Sequence, residues 1–335
     1  MGRRGLAAWL LAAACSTSAA CSTSVAGPVD VMPLGIEAGG ISGLATSPNG
    51  QTIYGIDESQ RSVVVIEPFV GGRRRDVVSP AANGGPHPVS LTALPGDIIA
   101  VVCRSGDDWS LQTYRARPGE PADPARPLQE VPLGRGDGLE TVAMAASRIR
   151  GWFAVTGLPP PHPPVMRMAF AGPGVRRRPD EPRPGGAASR PVAVAVGPAD
   201  ELVTIEAAAH EGTASLVATG HGGRELLRLD TGLADVRGVA FARDGSSLWV
   251  IAGAVAGPVP QPAGLWRLDA VLHDDRQAVR PTCVAPLDDP QALAAISDRS
   301  LVVVHGSQPR TISRIEVTAD TVVDPEDDRR EEGER

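Results

Sequence analysis

The sequence has no lysine. All 32 of its basic residues are arginine, set against 39 acidic ones, and the 335 residues carry a formal charge of -7. A nucleic-acid partner would need a concentrated basic face to displace counterions from phosphates, and none is present. Because Ala, Gly, Pro and Val are also used heavily, the missing lysine reads as GC-biased coding rather than selection for guanidinium chemistry. Cysteine is scarce too, with four in all. Cys15 and Cys21 lie near the start, leaving only Cys103 and Cys283, each in or beside an apolar run and each read as a small buried hydrophobe.

Other absences narrow the chemistry. There is no Gly-x-Ser-x-Gly elbow and no phosphate-cradling loop. No loop has EF-hand spacing. The six histidines form no zinc pattern: His210 and His221 stand too far apart, and His162 sits in the rigid Pro-rich stretch 158–164. Gly220-His-Gly-Gly223 has the look of an oxyanion-hole string but reads as a turn between strands.

At the N-terminus, Arg3-Arg4 precedes a short apolar stretch ending in small residues, the layout of an export signal and too short for a stable membrane span. Cys15 and Cys21 each follow a loose lipoprotein-type cleavage pattern, and Ser24-Val-Ala26 offers a plain cleavage site instead. The expectation is a signal peptide over 1–15, or to 20 or 26, with lipid attachment at Cys15 or Cys21. Soluble export, or a non-exported chain whose first residues only resemble a leader, are the alternatives. The Arg pair also suits a twin-arginine signal, though a basic start is commoner without one. Residues 16–28 then form a linker, and 325–335, almost all charged, a frayed tail.

Between them a small–aliphatic–small triplet recurs: Gly43-Leu-Ala45, Ser90-Leu-Thr92, Thr141-Val-Ala143, Ala193-Val-Ala195, Gly238-Val-Ala240 and Ala292-Leu-Ala294, spaced 45 to 54 residues apart. Four of them lead into turn chemistry, as in Pro48-Asn-Gly50 and Arg243-Asp-Gly245, and then into β-rich runs such as Ser247-Leu-Trp-Val-Ile251. A third run usually follows. Repeats of this length, β throughout, predict an all-β chain whose residues 29–324 form a single six-bladed β-propeller of three- to four-stranded antiparallel blades. Two separate sandwiches are the structural rival. The unmatched segment Val29–Ile36 is expected to close the ring as the outer strand of blade 6, with 317–323 competing for that role. Pro/Arg-rich stretches at 115–127 and 176–186 predict surface loops, and blade 3 is expected to be without a good outer strand. Cys103 and Cys283 fall in blades 2 and 5, too far apart for a disulfide.

A meander puts the starts of the innermost strands and the ends of the second strands on one face. That face gathers Glu37, His87, Asp137, Glu140, Asp235, Arg237 and Asp289 with Asp57, Glu58, Glu206, His210, Glu211 and His305. The positions just before the triplets form a ring at the channel mouth: Ser42, Val89, Glu140, Val192, Arg237 and Gln291. Glu140 and Arg237 there suit either a stabilising charge pair or a carboxylate for a metal or general base beside a guanidinium for an anionic substrate.

Gly39-Gly-Ile-Ser-Gly-Leu-Ala45 followed by Ile53-Tyr-Gly-Ile-Asp57 resembles the opening of the phytase-like, esterase-like propeller family, and Asp137-Gly-Leu-Glu140-Thr-Val-Ala143 resembles that family's later repeat start, with Thr141 where Gly is usual. Ser47-Pro-Asn-Gly50 and Ala242-Arg-Asp-Gly245 are equally similar to turns of YVTN-type and lactonase-like propellers. The first resemblance implies a calcium-assisted phosphoester or ester hydrolase, with Glu140, Asp57 and Asp137 the positions to suspect. With the ring position Arg237 the catalytic candidates are Glu140, Asp57 and Arg237, and the metal candidates Asp137, Glu140, Asp57 and Glu58. The Asp57-Glu58 order departs from that pattern. The expectation is therefore an envelope-held binding module meeting a protein, glycan or small molecule at its channel face, monomeric and touching a membrane only through its lipid. The hydrolase with calcium is the alternative.

Overall fold

The computed structural model describes residues 29–37, 40–67, 73–78, 85–116, 127–136, 142–158, 162–171, 174–177, 190–207, 212–220, 224–256, 260–273, 276–307 and 310–318. These residues contain strands and turns and no helix.

The first strand, β1 (Val29–Glu37), precedes six meanders. Blade 1 is β2 (Ile41–Thr46), β3 (Ile53–Asp57), β4 (Ser62–Glu67) and β5 (Arg73–Val78). Blade 2 is β6 (His87–Leu94), β7 (Ile98–Ser105), β8 (Asp108–Arg115) and β9 (Gln129–Arg135). Blade 3 is β10 (Ala143–Ala146), β11 (Trp152–Thr156), β12 (Val165–Ala171) and β13 (Gly174–Arg177). Blade 4 is β14 (Arg190–Val196), β15 (Leu202–Ala207), β16 (Ser215–Thr219) and β17 (Glu225–Asp230). Blade 5 is β18 (Val236–Phe241), β19 (Leu248–Ala252), β20 (Gly264–His273) and β21 (Arg276–Pro286). Blade 6 is β22 (Ala292–Ala295), β23 (Ser300–His305) and β24 (Thr311–Val317), and its fourth strand is β1.

Every sheet is thus four-stranded and antiparallel. Blade 3 does have an outer strand, correcting the expectation: β13 pairs Gly174 through Arg177 with β12, so Arg176 and Arg177, read from sequence as the start of the surface loop 176–186, belong to a strand. The ring is sealed by β1, with Val29 opposite Val317 and Val31 opposite Ile315. This outer-strand closure matches the sequence reading. Of the competing segment, residues 319 onward lie outside the described residues.

The reason for a ring shows in how neighbouring side chains divide. On β4, Val63 and Val65 pack toward blade 2 while Val64 and Ile66 pack toward blade 6. On β19, Leu248, Val250 and Ala252 face blade 4, and Trp249 and Ile251 face blade 6. Strand geometry sends successive residues to opposite faces, so a strand that is apolar at every position must be covered on both sides. Each of the six buried clusters accordingly lies between two adjacent blades. The innermost strands β2, β6, β10, β14, β18 and β22 touch one another in succession, and β22 returns to β2. Cys103 is buried in blade 2 and Cys283 sits in blade 5, both as free thiols. Two sandwiches would leave one face of each sheet wet, and no blade shows that.

Candidate functional site

The innermost strands enter the ring through a shared irregularity. In blades 1, 2, 4 and 5 the pairing of first and second strands slips by one residue near the strand start, leaving Ser42, Val89, Val192 and Arg237 unpaired. These are β-bulges, which bend the strand and re-aim one side chain. In blade 6 Gln291 stands at the same point, its N–H donating to the Val304 carbonyl at 2.8 Å. Four of the six channel-mouth positions inferred from the repeat therefore coincide with one structural device, and Gln291 holds the equivalent position in blade 6.

Blade 3 departs from the inferred register. Ala143 lies opposite Thr156 just as Gly43 lies opposite Ile56, and Ala146 opposite Phe153 as Thr46 opposite Ile53. The blade 3 triplet is thus Ala143-Met144-Ala145, two residues later than Thr141-Val142-Ala143. A slip of two preserves which face each residue takes, so the alternating pattern matches almost equally well in both registers. Buried Val142, not Glu140, holds the mouth position of Ser42 and Arg237. Asp137 and Glu140 themselves lie outside the described residues, as do His210 and Glu211. Counting back by the same offset, residue 140 corresponds to Gly40, His87, Arg190, Asp235 and Asp289 in the other blades.

Arg237 is the centre of the described site. Its guanidinium donates to Asp235 Oδ2 from Nη2 at 2.8 Å and from Nε at 3.2 Å, and across the blade boundary to Asp289 Oδ1 from Nη1 at 2.5 Å. The Pro290 carbonyl accepts a further bond at 3.3 Å. Asp235 and Asp289 occupy equivalent positions, and both adopt left-handed backbone, φ 46° and 41°. Aspartate tolerates that conformation better than most residues, and here it turns each carboxylate toward the guanidinium. Burial pulls the Arg237 pKa down, but the hydrogen bonds and charges of the two aspartates outweigh it and hold the pKa above the ordinary arginine value. Gly253 lies beneath the pair: a Cβ there would overlap Asp235 Oδ2 and come within 2.9 Å of Arg237 Nη2.

The other face residues are held differently. Asp57 is fully buried, and its Oδ1 accepts the Ser59 N–H at 2.8 Å, the Ser59 hydroxyl at 2.6 Å and the Gln60 N–H at 3.1 Å. It caps the β3–β4 turn. Glu58 is exposed and donates its backbone N–H to the Gly40 carbonyl at 2.9 Å. Glu206 is buried against Arg228, 2.8 Å away, which also binds Glu225, and those bonds raise the arginine pKa against the opposing effect of burial. His305 Nε2 lies 2.8 Å from Ser313 Oγ, and burial lowers its pKa although Asp288 acts in the opposite sense.

The structure therefore unites Asp235, Arg237 and Asp289, all gathered on one face from sequence, while tying Asp57 into its own turn. Among the described residues no three His, Cys, Asp or Glu side chains group to hold a metal ion. The bulges gave no sequence signal of their own, because the extra residue is simply one more Ser, Val or Arg in an apolar strand.

No protein-family model matches the chain, and no curated protein matches it. Solved structures do. The PQQ-bound form of an aldose sugar dehydrogenase from Streptomyces coelicolor is similar with a TM-score of 0.56 and 16% identity, covering 88% of this chain and 100% of its own. A gluconolactonase from Xanthomonas campestris gives 0.54 and 15%, covering 88% and 92%. A putative gluconolactonase gives 0.55 and 13%, covering 88% and 94%. The likeness is one of fold.

Proposed function

We propose that this chain is an exported binding propeller, held at the cell envelope through Cys15 or Cys21, that receives a polar ligand on the loop face around its channel. The carrying observation is the array Asp235–Arg237–Asp289. It sets two half-exposed carboxylates about a fixed guanidinium across two blades, with donors and acceptors already in place. Preorganised polar groups of this kind favour recognition because little side-chain entropy remains to be lost on binding. Asp57, Asp235, Arg237 and Asp289 bond to one another or to their own turns and Glu206 to Arg228, an arrangement suited to a shaped surface more than to a nucleophile or base awaiting a substrate. A protein segment, a glycan or a polar small molecule would each find acceptors in the two aspartates.

The test is saturable binding of the labelled propeller to immobilised envelope glycans and to envelope proteins. Asp289→Asn and Asp235→Asn should weaken it roughly tenfold, the scale of a charge-assisted hydrogen bond. No saturable binding by the unsubstituted protein, or unchanged binding by both variants, overturns the proposal.

A hydrolase is the second reading, favoured by the two gluconolactonase structures among the similar folds. Among the described residues Asp57 Oδ1 accepts bonds from its own turn and no three His, Cys, Asp or Glu side chains group. That reading would rest on Asp137 and Glu140. Calcium should then raise the melting temperature after EDTA treatment, and Glu140→Gln should remove the rise.

A further inference from the structure

The opposite mouth of the channel has its own ring. In five blades the chain leaves the innermost strand through one closing bond, from Ser47, Ser147, Gly197, Ala242 or Ile296 N–H to the carbonyl of residue 52, 152, 201, 247 or 300, at 2.8 to 2.9 Å. The next residues are Pro48, Arg148, Pro198, Arg243 and Ser297, and the blade 2 register adds Pro95. Proline fills three of six equivalent positions and arginine two. Both arginines reach two blades around the ring: Arg148 Nη2 to the Phe241 carbonyl of blade 5 at 3.5 Å, and Arg243 Nη2 to the Pro48 carbonyl of blade 1 at 2.5 Å, with Nη1 3.4 Å from the Ile296 carbonyl. Phe241 is two residues from Arg243, so the Arg148 head ends beside the base of the other arginine.

Among the described residues neither guanidinium is ion-paired with a carboxylate. Asp200, Asp244 and Asp298 of this rim bond to other groups. Asp200 binds Arg150 at 2.7 Å and the Ser147 hydroxyl. Asp298 Oδ1 accepts the Asp244 N–H at 2.8 Å, and Asp244 accepts the Ser246 N–H and hydroxyl at 2.8 and 2.7 Å. Two half-buried cations with mainly carbonyl partners repel one another, and burial followed by the Arg243 charge depresses the Arg148 pKa, with Asp298 compensating in part. A dianion between them would relieve that repulsion and engage the planar N–H forks that carbonyls leave largely unused.

We propose that Arg148 and Arg243 form a binding site for a small doubly charged oxyanion of the phosphate class at the turn-side mouth of the channel, separate from the loop face.

Calorimetric titration of the whole chain with inorganic phosphate, at ionic strength matched with chloride, tests this. Saturable binding is expected, weakened roughly tenfold or more in Arg148→Gln, the scale of one charge-assisted bond lost. Arg243→Gln should act likewise. If it fails to fold after losing its two inter-blade bonds, Arg148→Gln, which gives up only a long one, decides alone. Phosphate behaving as chloride does, or Arg148→Gln binding as tightly as the unsubstituted protein, overturns the site.

Discussion

Arg237 of blade 5 reaches Asp289 of blade 6 at 2.5 Å while holding Asp235 of its own blade at 2.8 Å. Replacing it with Gln leaves two aspartates facing each other across the blade boundary. All three side chains are roughly a third to a half exposed, so solvent screens the interaction, and the expected loss is about 1 kcal/mol in urea unfolding. It should shrink by more than half at 1 M salt, where the screening length falls to about 3 Å. A loss independent of salt would mean packing, not charge, is what Arg237 supplies.

Gly253→Ala should act through the same triad. Its new methyl overlaps the Asp235 carboxylate, so the pair must shift, at about 1 kcal/mol. Combined with Arg237→Gln the effects should fall short of their sum, because both remove one interaction. Strict additivity in the double-mutant cycle would refute the link.

On the other face, Gly50 has φ +74°, and a Cβ would collide with Arg243 Nη1 and with the Ile296 carbonyl, which cannot move aside. Gly50→Ala should therefore cost about 2–4 kcal/mol, the sum of backbone strain and overpacking. Gly96→Ala, with φ +81° but open space around it, should cost only about 1 kcal/mol. Equal losses would show that Arg243 does not rest on blade 1.

His305 makes stability depend on pH. Its folded pKa lies below the ordinary 6.5, so above that value both folded and unfolded forms are neutral and the group contributes nothing. As pH falls below 6.5 the unfolded chain binds the proton first, and stability declines until the folded pKa is passed. Melting temperatures from pH 8 to 5 should show this decline, and His305→Gln should lessen it.

Deleting β1 should leave the outer edge of β24 unpaired. A chain beginning at residue 40 is expected to lose cooperative unfolding or to associate through that edge, as read by chemical denaturation and sedimentation. A stable monomer melting as the full chain does would show the closure to be dispensable.

The second strands were legible because both their faces are buried, which demands unbroken apolar runs such as Ile98–Cys103 or Leu301–Val304; the inner strands, only partly buried in β2 and β10, were legible from the recurring triplet instead. The outer strands were not. On β17 (Glu225–Asp230) only Leu229 is buried, and β9 (Gln129–Arg135) has only Leu133, so neither alternation nor apolarity marks them. The third strand of blade 4, Ser215–Thr219, escaped because its short run of small and apolar residues lies between stretches outside the regular pattern. At the site, Asp235, Arg237 and Asp289 were gathered on one face from topology alone, yet their partnership was not foreseen, because it depends on two left-handed aspartates that no spacing signals. The blade 3 slip had a plainer source: Val142 and Met144 are both aliphatic residues between small ones, and only the hydrogen-bond ladder chooses between them.

The pairing of Val29 with Val317 joins the two ends of the described chain. During synthesis β1 emerges ahead of all six meanders and is therefore the last of these strands to find its place. Until residue 317 has been made, the nascent chain is an open arc whose leading segment has nowhere to dock, and the slowest step of folding should be this final long-range pairing.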